Sequence, residues 1–125
     1  MVTKGMTRGQ LEAEISRRVV QFAKEQLGRG PEGVRTRVLE DVILVRLAGV
    51  LTRGEKRLAA QPDGARLIKE MRLRLIESSR QALAELVVEP LGLRLVSLHT
   101  DLSTRAGEEI IVFVLNQNLE EALEL

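Results

Sequence analysis

Two apolar runs constrain the fold of this chain more than any other feature. Residues 110–115 read Ile-Ile-Val-Phe-Val-Leu without interruption, and Val42–Ala48 is apolar at every position except Arg46. Runs of this length are far too short to span a bilayer. They are typical of strands at the centre of a sheet, where other elements cover both sides. We therefore expect both runs to be central strands of one sheet.

Each central run has a neighbouring strand joined to it by a turn. Residues 34–39 precede the first run across Glu40-Asp41, a spacing that predicts a tight hairpin. Residues 93–102 precede the second run, taken as 109–115, across a turn at 103–107. The four segments together predict a four-stranded antiparallel or mixed sheet.

Helical patterns occupy the segments around these hairpins. Apolar residues recur at helical spacing over 7–27, and the Gly-Arg-Gly-Pro turn at 28–31 should end that helix. The Thr-x-x-Glu pattern at 52–55 is a capping box that predicts a short helix over 53–60. Residues 119–125 should form one or two further helical turns.

The longest predicted helix covers 63–88, with Asp63 as its N-cap. It carries a main apolar stripe of Leu67, Met71, Leu75, Ala82 and Leu86, and a second stripe of Ile76, Leu83 and Val87. A helix that is apolar on two sides needs two partners. The sheet supplies one of them, and a second subunit would supply the other, so the pattern predicts a homodimer through helix 63–88.

The elements follow one another in the order α-β-β-α-α-β-β-α. We therefore expect a single α+β domain over 1–125, with the helices packed on one face of the sheet. Residues 1–6 carry no periodic pattern and are expected to be a frayed start.

Composition excludes several classes of function. Aromatic residues make up 2% of the chain, which leaves no stacking platform for single-stranded nucleic acid. There is no cysteine and one histidine, so we expect no disulfide, no metal site and no cofactor. A net charge of +1 is unlike that of a dedicated DNA-binding protein. Because the chain starts without the apolar segment of a signal peptide, we expect a cytoplasmic protein that binds no nucleic acid and does not insert into a membrane.

The most polar strand-and-turn segment lies at 97–104, and strand alternation puts Ser97, His99 and Asp101 on one face. Asp101 is placed to orient the ring of His99, the only histidine. With Ser97 these residues would form a hydrolytic triad, but no nucleophile-elbow pattern surrounds the serine. We assign no catalytic residue and predict a ligand- or partner-binding surface instead. Its candidate residues are Ser97, His99, Thr100, Asp101, Ser103 and Thr104.

Arginines suggest a further candidate contact. Arg29, in the turn at 28–31, is a candidate partner for an anion or a carboxylate. Because that turn follows a helix, it lacks the geometry that cradles a phosphate at a helix N-terminus. Acidic residues alternate with most other arginines, which indicates ion-paired, solvated faces more than a nucleic-acid surface. Those arginines are Arg35, Arg37 and Arg46 in the sheet and Arg72, Arg74 and Arg80 on the long helix.

Several segments, taken together, carry a family pattern. Leu-Gly-Arg-Gly-Pro at 27–31 is followed by Val-Arg-Thr at 34–36 and by the apolar strand at 42–47. Gly-Val-Leu-Thr-x-x-Glu at 49–55 comes next, and Val-Ser-Leu-His-Thr-Asp-x-Ser-Thr at 96–104 leads into Val-Phe-Val-Leu at 112–115. Over residues 9–118 the chain resembles the MpsC-like family of small bacterial proteins.

This family is named for a component of a sodium-translocating system that generates membrane potential, a system also linked to uptake of inorganic carbon. The resemblance implies a non-enzymatic accessory protein that acts beside integral-membrane transport subunits, in the cytoplasm or peripheral to the inner face of the membrane. It transfers no catalytic residues. Two alternatives stay open: a small-anion or nucleotide sensor, and, less favoured, a hydrolase that uses His99 and Asp101.

Overall fold

Two β-hairpins form one antiparallel sheet in the computed structural model, which describes residues 5–125. The strands are β1 (Gly33–Leu39), β2 (Val42–Ala48), β3 (Leu95–Ser103) and β4 (Glu108–Leu115). Their order across the sheet is β1-β2-β4-β3, so the two apolar runs are its central strands, as predicted. The frayed start expected at 1–6 falls mostly on residues 1–4, which lie outside the described residues.

Five α-helices accompany the sheet. They are α1 (Arg8–Gln26), α2 (Arg53–Ala59), α3 (Gly64–Ser78), α4 (Arg80–Leu83) and α5 (Leu119–Ala122). Helix α2 begins with the predicted capping box, in which Thr52 and Glu55 each bond the other's backbone N–H. Helix α1 ends before Gly28, whose φ of +87° is the left-handed conformation that glycine adopts without strain.

The helix predicted over 63–88 is interrupted. Its continuity fails at Ser79, because the hydroxyls of Ser78 and Ser79 both donate to the Leu75 carbonyl, at 3.0 and 2.7 Å. Beyond α4 the chain forms a π-helical turn over Ala84–Val88 and a 3₁₀ turn over Glu89–Leu91.

Asp63 occupies the predicted N-cap position of α3, but it does not cap the helix with its side chain. Asp63 has a φ of 61°, and its side chain makes no capping bond. The Gly64 N–H bonds the Gln61 carbonyl at 3.0 Å, so a tight turn leads from α2 directly into α3. The left-handed backbone of Asp63 differs from the extended conformation of a capping residue, and its carboxylate lies 3.8 Å from the Arg66 guanidinium.

The two faces of the sheet have different surroundings. Helices α1, α3, α4 and α5 contribute buried residues to the core on one face, where alternate strand residues such as Val38, Ile43, Val45, Ile111 and Phe113 are buried. Helix α2 has no buried residue and packs against α3. The intervening residues point to the opposite face, which these helices leave uncovered. The fold is therefore the α+β arrangement expected from the sequence, with one sheet face available for contacts.

Candidate functional site

Strand β3 divides the predicted site residues between the two faces of the sheet. Ser97, His99 and Asp101 lie on the uncovered face, because they pair in register with outward-facing residues of β4. Thr100 pairs with the buried Ile111 and so belongs to the covered face. Of the candidate site residues within this stretch of β3, Ser97, His99 and Asp101 therefore share the uncovered face, and Thr100 lies on the covered face.

The polar bonds along β3 differ from the expected ones. The His99 ring bonds the Ser97 hydroxyl, with 3.1 Å between Nε2 and Oγ. The Asp101 carboxylate accepts the Leu102 N–H at 2.8 Å and lies 3.3 Å from the Lys69 ammonium. These two contacts, the backbone bond first, hold the pKa of Asp101 below its ordinary value. Ser97 therefore replaces Asp101 as the partner of the His99 ring, which weakens the triad interpretation.

The turn after β3 borders a surface cleft of about 370 Å³. The Ser103 hydroxyl accepts the Ala106 N–H at 3.1 Å, which holds the turn closed. The cleft contains charges of both signs, from Lys69 and Arg105 against Asp101 and Glu108. Thr104 also lines this cleft. The two basic residues would attract an anion and the two carboxylates would repel it, so the residues that line the cleft do not favour anion binding.

Arg29 lies at the same end of the sheet as this turn. Its guanidinium donates to the Gly49 carbonyl at 3.3 Å, and the neighbouring Val50 N–H donates to the Gly107 carbonyl at 3.1 Å. His99 lies four strand residues before Ser103, roughly 13 Å along β3. The structure thus places Arg29, Ser103 and Thr104 at one end of the sheet and places Ser97 and His99 towards the other.

The uncovered sheet face has an apolar centre and a basic side. Its centre consists of partly exposed residues on β2 and β4, namely Val42, Leu44, Ile110, Val112 and Val114. Arg35 and Arg46 are directly opposite each other in register, and Arg37 is next to them on β1. Glu108 pairs with Arg46 at 2.8 Å, while the Arg37 guanidinium bonds the Thr36 carbonyl. The prediction that these three arginines share one sheet region is confirmed.

A buried ion pair lies under α3, and sequence reasoning missed it. Arg72 is 8% exposed and Glu109 is 0% exposed, and their nearest side-chain atoms are 3.0 Å apart. Arg72 is therefore not one of the solvated helix arginines expected above. Among the residues described, Arg72 Nε, Glu109 Oε2 and Thr100 Oγ1 are buried without a hydrogen-bond partner. Burial raises the pKa of Glu109 even though Arg72 acts to lower it.

The sequence contained a signal for this pair. Glu109 has the same strand parity as Ile111 and Phe113, which places it on the covered face. Arg72 lies four residues from both Ile68 and Ile76, the buried residues of α3. Opposite charges on the apolar face of a helix and on the covered face of a strand together indicate a buried ion pair. Either residue taken alone is more easily interpreted as a solvated surface charge.

Helix α3 also has an outward-facing apolar stripe. Leu67, Met71 and Leu75 are 50%, 40% and 36% exposed and follow one another at intervals of four residues. The predicted main stripe is thus the exposed one over α3, whereas the second stripe, Ile76, Leu83 and Val87, is buried in the core. Helix α3 therefore buries one apolar side, which includes Ile68 and Ile76, and exposes a second apolar stripe to solvent.

These features define a small α+β domain with an uncovered sheet face and an apolar outer helix. The chain belongs to the MpsC family, because the family described as "Na+-translocating membrane potential-generating system (MpsC)" matches residues 7–117. This confirms the resemblance.

Two relatives from Bacillus subtilis (strain 168) are similar over most of their length. The protein called "Uncharacterized protein YbcI" is 40% identical over 118 residues, 94% of this chain and 95% of that protein. "Uncharacterized protein YrhF" is 30% identical over 106 residues, 83% and 86% of the two chains. No solved structure matches. Within residues 5–125, no helix has both the length and the apolar character needed to cross a membrane.

Proposed function

We propose that this protein is a non-enzymatic accessory protein that docks on subunits of a membrane system transporting Na⁺ or inorganic carbon. The observation that carries this proposal is the uncovered sheet face, with its apolar centre and arginine side. The description of the family, which names a Na⁺-translocating system, supports the choice of partner. The protein would act in the cytoplasm, at the inner face of the membrane that holds these subunits.

The chemistry of the face specifies the kind of segment that would bind it. Leu44 and Val112 lie side by side at its centre, so a partner gains most by burying apolar side chains there. Arg35 and Arg37 lie on the β1 side, and the residues described give neither a carboxylate partner. An amphipathic helix with acidic residues along one flank matches both features.

The polar edge of this face would contribute specificity. Ser97, His99, Asp101 and Ser103 alternate along the β3 side, opposite the arginines. His99 is exposed and would be a polar contact at this edge, its ring bonded to the Ser97 hydroxyl. Thr104 and Arg29 would extend the contact at the end of the sheet, with Arg29 meeting a carboxylate. If His99→Ala or Arg29→Ala loses partner binding, the assignment of this edge as part of the docking surface is supported. If both variants bind the partner as wild type does, the assignment is wrong.

A second part of the proposal concerns assembly. The protein would be a homodimer through the helical segment 63–88, because the stripe of Leu67, Met71 and Leu75 stays exposed in the single chain. Measuring the mass in solution by light scattering tests this part independently of any partner.

The docking test uses paired variants of the same chemistry. The sheet-face variant carries Leu44→Asp and Arg37→Glu, and its control carries Leu58→Asp and Arg53→Glu on the exposed surface of α2. Each tagged protein is purified from gently solubilised native cells, and co-purifying proteins are identified by mass spectrometry. We expect stoichiometric membrane-transport subunits with wild type and control, and their loss from the sheet-face variant. Equal capture by both variants, or recovery of the protein alone, would overturn the proposal. Circular dichroism checks that both variants fold.

The alternative of a small-anion or nucleotide sensor would use the cleft beside the β3–β4 turn, although its basic residues Lys69 and Arg105 share the lining with Asp101 and Glu108. Calorimetry against bicarbonate, phosphate and nucleotides tests it. Saturable heat that disappears in Arg105→Ala would favour a sensor, and no heat at millimolar ligand would end this alternative.

A further inference from the structure

The outer side of α3 combines an apolar stripe with an ordered row of charges. Leu67, Met71 and Leu75 form the stripe, at the spacing that keeps residues on one side of a helix. Beside it, on the flank away from the domain's own core, lie four exposed charged residues. Their signs alternate along the helix: Arg66, Glu70, Arg74 and Glu77. Within one chain Arg74 bonds Glu70 at 2.9 Å and Arg66 lies 3.8 Å from Asp63, and these exposed groups are free to exchange partners with a second copy.

The inward side of the same helix fixes which way this surface points. Ile68 and Ile76 are buried, and between them Arg72 pairs with Glu109 of β4. Rotation of α3 about its axis would break this pair and expose Ile68 or Ile76. The stripe and the charged row are therefore held outward by the domain's own packing.

We infer that α3 is a self-complementary surface that binds a second copy of this chain, with the two α3 helices antiparallel about a two-fold axis at Met71. This inference rests on the homodimer proposed above and specifies its geometry. A two-fold contact uses the same patch on both subunits, so each residue must match a partner within one patch. Leu67 then faces Leu75 of the second copy, and Met71 faces its own equivalent.

The charges identify the second copy as the occupant. In an antiparallel pair the charged flank of one helix lies along the charged flank of the other. The register that pairs Leu67 with Leu75 also brings Arg66 close to Glu77 and Glu70 close to Arg74 of the second copy. Opposite charges therefore meet at each pairing, which sets orientation and register. In a parallel pair the two-fold axis would run along the helices and place the two charged flanks on opposite sides of the contact, so these opposite charges would not meet.

The absence of cysteine from the natural chain permits a direct test by cross-linking. Met71→Cys places two thiols at the two-fold axis, where their Cβ atoms come within disulfide distance. A mixture of Leu67→Cys and Leu75→Cys protein should form the mixed disulfide well above the self-linked product of either variant. Ala13→Cys, at an exposed position on α1, controls for random collision. Linking of Met71→Cys no faster than Ala13→Cys, or Leu67→Cys self-linking as fast as Met71→Cys, would overturn the antiparallel geometry.

Charge reversal provides the second test. Sedimentation equilibrium over a concentration series should show a dissociation constant raised roughly tenfold by Glu70→Arg and largely restored by Glu70→Arg with Arg74→Glu. A reversal without effect would overturn the role of the charges in pairing. A monomer at every concentration would overturn the homodimer and its geometry together, whereas a dimer without the predicted cross-links would overturn the geometry alone. The docking test on the sheet face is unaffected by either result.

Discussion

The buried pair of Arg72 and Glu109 gives the strongest quantitative prediction. Both side chains are removed from water, so deletion of one leaves the other as an uncompensated buried charge. Such a loss costs about 3–5 kcal/mol, whereas replacing both members by apolar residues of similar volume is often neutral or stabilising. Two polar atoms of this pair already lack partners, which favours the apolar replacement further. We therefore expect Arg72→Met and Glu109→Leu each to be severely destabilising, and the double variant to lie within about 1 kcal/mol of wild type or above it.

Urea unfolding followed by circular dichroism measures these differences. With a slope of about 2 kcal/mol per molar urea, each single variant should lower the midpoint by roughly 2 M. The double variant should recover nearly all of this, which corresponds to a coupling free energy of about 5 kcal/mol or more in magnitude. Arg57→Met, the same loss of charge at an exposed position on α2, serves as the control. Single variants that cost less than about 1 kcal/mol, or a double variant whose cost equals their sum, would refute the reasoning.

Three further predictions follow from individual contacts. Burial raises the pKa of Glu109 above its ordinary value of 4.5, so the folded state binds this proton more tightly than the unfolded state does. The free energy of unfolding of wild type, relative to Glu109→Gln, should therefore fall as pH rises from about 4.5 through the raised pKa. Gly64→Ala should cost more than about 2 kcal/mol in urea unfolding, because its Cβ would lie 1.7 Å from the Leu58 carbonyl oxygen. Thr52→Ala should cost about 1 kcal/mol through loss of the α2 capping box, against less than about 0.5 kcal/mol for the neighbouring Arg53→Ala.

Each of these three has a clear contrary result. A stability difference between wild type and Glu109→Gln that is constant over this pH range would show that Glu109 titrates alike in both states. Wild-type stability in Gly64→Ala would mean that α2 moves away from α3 at little cost. Equal effects of Thr52→Ala and Arg53→Ala would remove the cap as the cause.

Local chemistry explains why so much of the fold was predictable. The capping box at Thr52 and Glu55 and the Glu40-Asp41 hairpin depend on residues close in the chain, so their sequence patterns are direct causes. The break at Ser79 was missed because apolar periodicity continues across it. The left-handed backbone of Asp63 was missed because aspartate before a helix matches the sequence pattern of an N-cap whatever its backbone conformation. Apolar periodicity indicates which side of a helix is buried, but it does not indicate where the pattern of backbone hydrogen bonds changes.

The candidate site was predictable only in part. Strand alternation correctly placed Ser97, His99 and Asp101 on one face. The ion-pair partner of Asp101 depended on α3, because Lys69 reaches Asp101 from a helix more than thirty residues away in sequence. Side-chain partners of that kind are set by packing between elements, which single-sequence patterns do not contain.

The sequence by itself determined the two central strands, the order of elements and the family, because apolar runs and turn residues encode local conformation. The tertiary structure alone decided which charges are buried. Arg72 and Glu109 are separated by 37 positions, and although each lies on an apolar face by its spacing, only the packing of α3 on the sheet brings them together as a pair. The same packing turns the stripe of Leu67, Met71 and Leu75 outward, since one side of the helix can face the core only if another faces solvent or a partner.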